Sequence, residues 1–135
     1  MVKKLLTMSF LVVLVVLVVR VFLNPATWHQ QIRVEDVSRI ILNGFGTGDI
    51  DATTQEVENI VTWFNSAYDI RDANFVGTTA DSIITVVMRN GERFSISHGG
   101  KDFEVQRKDR LGILRSYWAR QQDIKQLLDD LAKRT

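Results

Sequence analysis

From Leu5 to Leu23 the chain runs through nineteen residues of which only Thr7, Ser9 and Arg20 are not apolar. As a helix that stretch rises about 28 Å, close to the ~30 Å hydrocarbon thickness of a bilayer. It is long enough to cross a membrane with little tilt. Arg20 lies about one turn from the end of the run, where a guanidinium can snorkel to the headgroups. Trp28, just beyond, suits an interfacial aromatic belt.

A removable signal peptide is the competing reading. Lys3 and Lys4 make a suitable basic start, but Leu5 to Val19 sits at the upper end of the secretory length range. The following "RVFLNPATWHQ" places Leu23, Asn24 and Pro25 where small residues are wanted for cleavage. The expectation is an uncleaved anchor over residues 1–25. Lys3, Lys4 and the terminal amine on one flank nearly balance Arg20, Arg33 and Arg39 on the other. The weight of a first helix with a basic start places the amino terminus inside the cell and the rest outside. There is no cysteine, so neither a disulfide, a thiolate metal site nor lipid attachment to a thiol is expected, and the helix itself is the anchor.

A short linker, 26–32, follows the only proline, Pro25, and one domain is expected over 33–135. The chain carries 17 basic and 16 acidic residues, and outside the anchor the balance is weakly acidic. It is uneven, with three cations against nine carboxylates in residues 27–82, and eleven against seven in 83–135. Halves of opposite sign that fold together can pair charges across the surface. Nucleic acid is not an expected partner for such a balance outside the membrane.

"VEDVSRIILNG" is rich in β-branched residues and stops at glycine, which predicts a strand. Thr53 followed by Glu56 fits a capping box, and Val57, Ile60, Val61, Phe64 and Tyr68 recur at helical spacing. "IRDANFVG" predicts a weaker strand. "DSIITVVMRNGERFSIS" predicts a hairpin in which Asn90 and Gly91 supply positive φ angles. Phe94 and Ile96 alternate with Ser95 and Ser97. After Gly99-Gly100, Phe103 and Val105 alternate with Asp102, Glu104 and Gln106, the pattern of an antiparallel sheet with one wet face. "ILRSYWA" predicts a sixth strand after a turn at Asp109 to Gly112, and Ile124, Leu127, Leu128 and Leu131 predict a terminal amphipathic helix. The expected domain is α+β, ordered β-α-β-β-β-β-β-α, with two helices on one face of a mainly antiparallel sheet.

The glycines of "NGFGTGDIDATTQE" lie between a strand and a helix, where a phosphate loop belongs. Gly44, Gly46 and Gly48 have the wrong spacing, however, no Lys-Ser/Thr follows, and Asp49 and Asp51 bring negative charge. Asp49, Asp51 and Thr53 alternate as calcium ligands do, but Thr54 and Ile60 stand where that loop needs glycine and a bidentate glutamate. A loop ending in a capped helix, its carboxylates near the positive end, accounts for the pattern. No metal or cofactor is expected.

His29 falls in the linker and His98 at a strand end. Neither Ser95 nor Ser97 lies in a nucleophile elbow, so a surface histidine is expected and enzymatic activity is not. The most suggestive cluster is Arg107, Lys108, Arg110, Arg115 and Arg120, with Tyr117 and Trp118 nearby. Such a patch can hold a phosphate-rich polymer, anionic headgroups or an acidic protein. Its bland counterpart is a solvated hairpin balancing the acidic first half.

With "KKLLTMSFLVVLVVLVV" ahead of "ITVVMRNGERFSISHGGKDFEV", the chain resembles in outline the small single-span membrane-anchored proteins of Gram-positive bacteria, which implies one span followed by a compact α+β domain. A pilin-like subunit also starts with an apolar helix, but the glycine before its cleavage point and the glutamate after it are missing. The function expected is binding, by a domain outside the membrane, of a protein partner or an anionic envelope polymer through Arg107, Lys108, Arg110, Arg115 and Arg120. The competing classes are an accessory subunit of a membrane complex with its domain in the cytoplasm, and a small envelope hydrolase centred on His98.

Overall fold

The computed structural model describes residues 1–74 and 80–134; Phe75 to Gly77, the end of the weaker predicted strand, lie outside them. Helix α1 spans Val2–Leu23 and buries none of its side chains. It is long and apolar enough to cross a membrane. Beyond it the chain is α+β, as the periodicities predict: β1 (Val37–Gly44), β2 (Gly48–Asp51), α2 (Thr54–Asn65), β3 (Tyr68–Asp72), β4 (Ser82–Met88), β5 (Arg93–Gly99), β6 (Asp102–Lys108), β7 (Leu114–Arg120) and α3 (Gln122–Lys133).

The seven strands form one sheet in the order β2-β1-β4-β5-β6-β7-β3, and every neighbouring pair is antiparallel. Between the two edge strands the chain passes through α2, so this helix carries it from one edge of the sheet to the other. Alternate residues point to one face and bury there: Ile40 and Leu42, Ile84 and Val86, Phe94 and Ile96, Phe103 and Val105, Tyr117 and Ala119. Against them pack Ile60, Val61 and Phe64 from α2 and Ile124, Leu128 and Leu131 from α3. Each fully buried aliphatic or aromatic side chain contributes about 1.5–3 kcal/mol relative to exposure.

Local chemistry sets the boundaries. Thr53 Oγ1 accepts from the amide of Glu56 (3.3 Å) and the Glu56 carboxylate accepts from the amide of Thr53 (2.7 Å), completing the expected capping box. Helix α3 is tied to the sheet by Ser82, whose hydroxyl donates to the Leu128 carbonyl at 2.8 Å. Gly44 lets α3 come close, since a Cβ there would stand 2.1 Å from the Leu131 carbonyl oxygen.

Two local expectations are corrected. The glycine segment is a hairpin, not a loop: Gly46 (φ +86°) and Gly48 (φ +69°) turn the chain back into β2, a seventh strand that the periodicity missed. At Asn90-Gly91 only Gly91 has positive φ (+91°). The Gly91 amide donates to the Met88 carbonyl and the Met88 amide to the Glu92 carbonyl. This is a three-residue connection with a glycine bulge, which needs one left-handed residue where a two-residue turn needs two.

The linker belongs to the core. Trp28 and Ile32 are 5% and 4% exposed, and Ile32 exchanges hydrogen bonds with the Asn65 side chain in both directions at 2.8 Å. Trp28 is therefore not presented to an interface as an aromatic belt would be.

Candidate functional site

The junction between α1 and the domain is closed by side-chain bonds from the residues that follow the helix. A helix ends with four carbonyls lacking helical partners, and here the following turn satisfies two of them. The Thr27 hydroxyl lies 3.1 Å from the Val21 carbonyl, and the Trp28 indole N–H donates to Phe22 at 3.2 Å. The Trp28 ring in turn lies under the guanidinium of Arg115, 4.8 Å from ring centroid to guanidinium carbon.

His29 is held from both sides. Its Nε2 lies 2.7 Å from the Phe64 carbonyl, which can only accept, so Nε2 carries the proton. Its Nδ1 then accepts from the Tyr117 hydroxyl at 2.8 Å. Burial, assisted by the nearby Arg107 charge, lowers the pKa of His29 against the opposing pull of the Phe64 carbonyl. Burial likewise pushes the Tyr117 phenol well above its ordinary value. The ring is thus kept neutral, joining the linker to α2 and β7.

The five cations singled out in the sequence do not converge. Arg107 points to the covered face, where its Nη1 donates to the Gln30 carbonyl at 2.6 Å and its guanidinium stacks 4.7 Å from the Phe94 centroid. Desolvation there lowers its pKa. Arg115 is paired with Asp109 at 2.9 Å. Arg120 sits at the far end of β7, where it and Arg71 share Asp102 and Asp69. The hydrogen bond from Arg120 is the largest of the effects that hold the Asp102 carboxyl below its ordinary range. Lys108 and Arg110 alone are exposed near the β6–β7 turn.

That turn is built by Asp109. One carboxylate oxygen accepts from the amides of Leu111 (2.8 Å) and Ile113 (3.0 Å), and the other from Arg115. Asp109 and Arg110 also line a cleft of about 580 Å³ together with Val21 and Phe22 of α1 and Trp28, His29 and Gln30. The hairpin is therefore brought beside the last turn of α1.

Among the described residues no helix covers the other face of the sheet. That face carries Asp49, Thr85, Arg93, Ser95 and Gln106 around a shallow depression of about 430 Å³, bordered by Ile41 and Leu114. On the same face Trp118 packs against Gly99, where an added Cβ would meet its ring at 2.2 Å. Glu104, 3% exposed, accepts from the Ser116 hydroxyl.

His98 makes no hydrogen bond to Ser95 or Ser97. Its Nε2 bonds Asp129 of α3 at 2.7 Å, and Asp129 also pairs with Lys125. Ser95 and Ser97, one residue out of phase with His98, project from the opposite face. Asp49 is occupied by Asn43 at 2.6 Å and Asp51 by Arg39 at 3.7 Å. Among the described residues no group of three or more carboxylates and histidines gathers as a metal site would require.

The His29–Tyr117 contact joins residues 88 apart in sequence, and no local pattern announces it. The exposed aliphatic tip at Leu111, Ile113 and Leu114 did leave a trace, "RLGIL", in which apolar residues flank a turn glycine. Set against protein-family models, curated proteins and solved structures, the chain matches none.

Proposed function

We propose that this chain is a single-span membrane protein whose α+β domain stands outside the cytoplasm and works by binding, not by catalysis. The observation that carries this is α1: none of its 22 residues is buried, yet its last turn is bonded directly to the domain core. An apolar helix with no protein to cover it is solvated by lipid. The binding surface is the helix-free face of the sheet, where Arg93, Ser95 and Gln106 border the depression. The partner is a protein or an anionic envelope polymer, for which Arg93 supplies positive charge.

The test combines location and charge. A reporter active on only one side of the membrane is fused after Thr135, and membranes are washed with carbonate. An external signal in a retained chain supports the reading. An internal signal overturns the orientation and favours a cytoplasmic accessory subunit. For the polymer, binding by the full chain is expected to weaken with salt and on Arg93→Gln; insensitivity to both refutes the polyanion.

A further inference from the structure

The tip of the β6–β7 hairpin exposes Leu111, Ile113 and Leu114 to 60%, 47% and 53%. The turn itself does not require these side chains. Asp109 builds it through the Leu111 and Ile113 amides and Arg115, and Gly112 takes the left-handed position at φ +76°. Leu111 and Ile113 in the turn and Leu114 at the first position of β7 thus have no part in building it, and such an exposed aliphatic patch marks an interaction surface.

Its surroundings name the partner. Because Asp109 is consumed inside the turn, the exposed Lys108 and Arg110 have no carboxylate partner among the described residues. Arg110 borders the cleft that also contains Val21 and Phe22, the last turn of α1. If α1 is the span, that turn lies where hydrocarbon gives way to headgroups. The tip is held there through the Trp28–Phe22 and Arg107–Gln30 hydrogen bonds.

We infer that the β6–β7 tip is a second membrane contact of this chain, in which Leu111, Ile113 and Leu114 enter the interfacial layer while Lys108 and Arg110 hold phosphates of anionic phospholipid. Aliphatic side chains beside cations match, in order, the acyl and phosphate regions of such a lipid. Trp28, the residue that the sequence offers for an interfacial role, is buried, and the hairpin takes that place. This inference rests on α1 being a span.

The chain has no cysteine, so Ile113→Cys introduces a unique thiol for an environment-sensitive fluorophore. Lys101→Cys, in the β5–β6 turn at the opposite end of β6 and about 20 Å away, is the control. The full-length variants are placed in phosphatidylcholine discs with or without phosphatidylglycerol. With phosphatidylglycerol, the probe at 113 is expected to emit at shorter wavelength and to be quenched by lipid spin-labelled near the headgroup, while the probe at 101 stays aqueous. Lys108→Gln together with Arg110→Gln lowers the ratio of inserted to free tip roughly 30-fold, about fivefold per cation.

A probe at 113 as aqueous as that at 101 overturns the contact. Insertion equal in neutral and anionic discs overturns the role of the two cations. A probe that becomes apolar only on adding cell extract assigns the tip to a protein and likewise refutes the lipid. Carbonate extraction separates the two levels: an extracted chain refutes the span, whereas a retained chain with an aqueous tip refutes the hairpin contact alone.

Discussion

Arg107→Met separates a structural guanidinium from a ligand-binding one. The substitution keeps most of the aliphatic stem and removes two interactions. One is the charged hydrogen bond to the Gln30 carbonyl at 2.6 Å, of a kind that contributes about 1.5–3 kcal/mol. The other is the stack on Phe94 at 4.7 Å, about 1 kcal/mol in a half-buried setting. Relief of guanidinium desolvation offsets part of the loss, leaving about 2–3 kcal/mol. For a domain of about 100 residues that lowers the unfolding midpoint by roughly 8–24 °C. Near-ultraviolet circular dichroism of the full chain in detergent follows the domain while α1 stays helical. Lys108→Gln, the exposed neighbour on the opposite face, is the control and is expected within about 0.5 kcal/mol of the parent. Equal midpoints for Arg107→Met and the parent would refute the brace and return Arg107 to the pool of free cations.

Two other perturbations probe the same architecture. His29 has a folded pKa below its unfolded value of about 6.5, so the unfolded chain binds the extra proton. Its contribution to stability is complete above about pH 6.5 and is lost as the pH falls from there through the depressed folded value. Denaturant titrations across this window are expected to show the decline in the parent and a shallower one in His29→Gln; identical slopes would remove His29 as its source. Arg107→Met also lifts the Arg107 charge from His29 and is expected to flatten the decline in part. At Gly99, alanine places a Cβ 2.2 Å from the Trp118 ring, an overpacking of about 1–3 kcal/mol. Trp118→Ala in the same chain is expected to recover much of the Gly99→Ala loss in a double-mutant cycle, and strict additivity would show that the ring does not lie there.

The parts legible in the sequence are those whose physics is local. The capping box at Thr53 and Glu56, the alternation through Phe94 and Ile96, and the helical spacing of Ile124, Leu128 and Leu131 each state an element and a buried face within a few residues. Strand β2 was hidden because three of its four residues, Gly48, Asp49 and Asp51, are poor strand formers and Ile50 alone favours a strand. An edge strand tolerates carboxylates, which also discourage pairing with another chain. The basic cluster misled for a geometric reason. Consecutive residues on a strand face opposite ways, so Arg107 and Lys108 are neighbours in sequence but are separated by the sheet, and Arg120 lies a strand length from both. Trp28 was ambiguous because an indole after an apolar helix suits either a headgroup layer or a core. Arg115, 87 residues later, decides for the core by stacking on the indole.

The bond from Trp28 to the Phe22 carbonyl has a mechanical consequence. A domain on a slack tether would sample every heading, but this one is geared to its helix, so turning α1 about its long axis turns the sheet with it. One residue inserted within α1 advances the helical phase by about 100° and the height by about 1.5 Å. The helix-free face would then point in a different direction about the α1 axis, and two chains pairing through α1 would have the mutual heading of their sheets set by the helix seam.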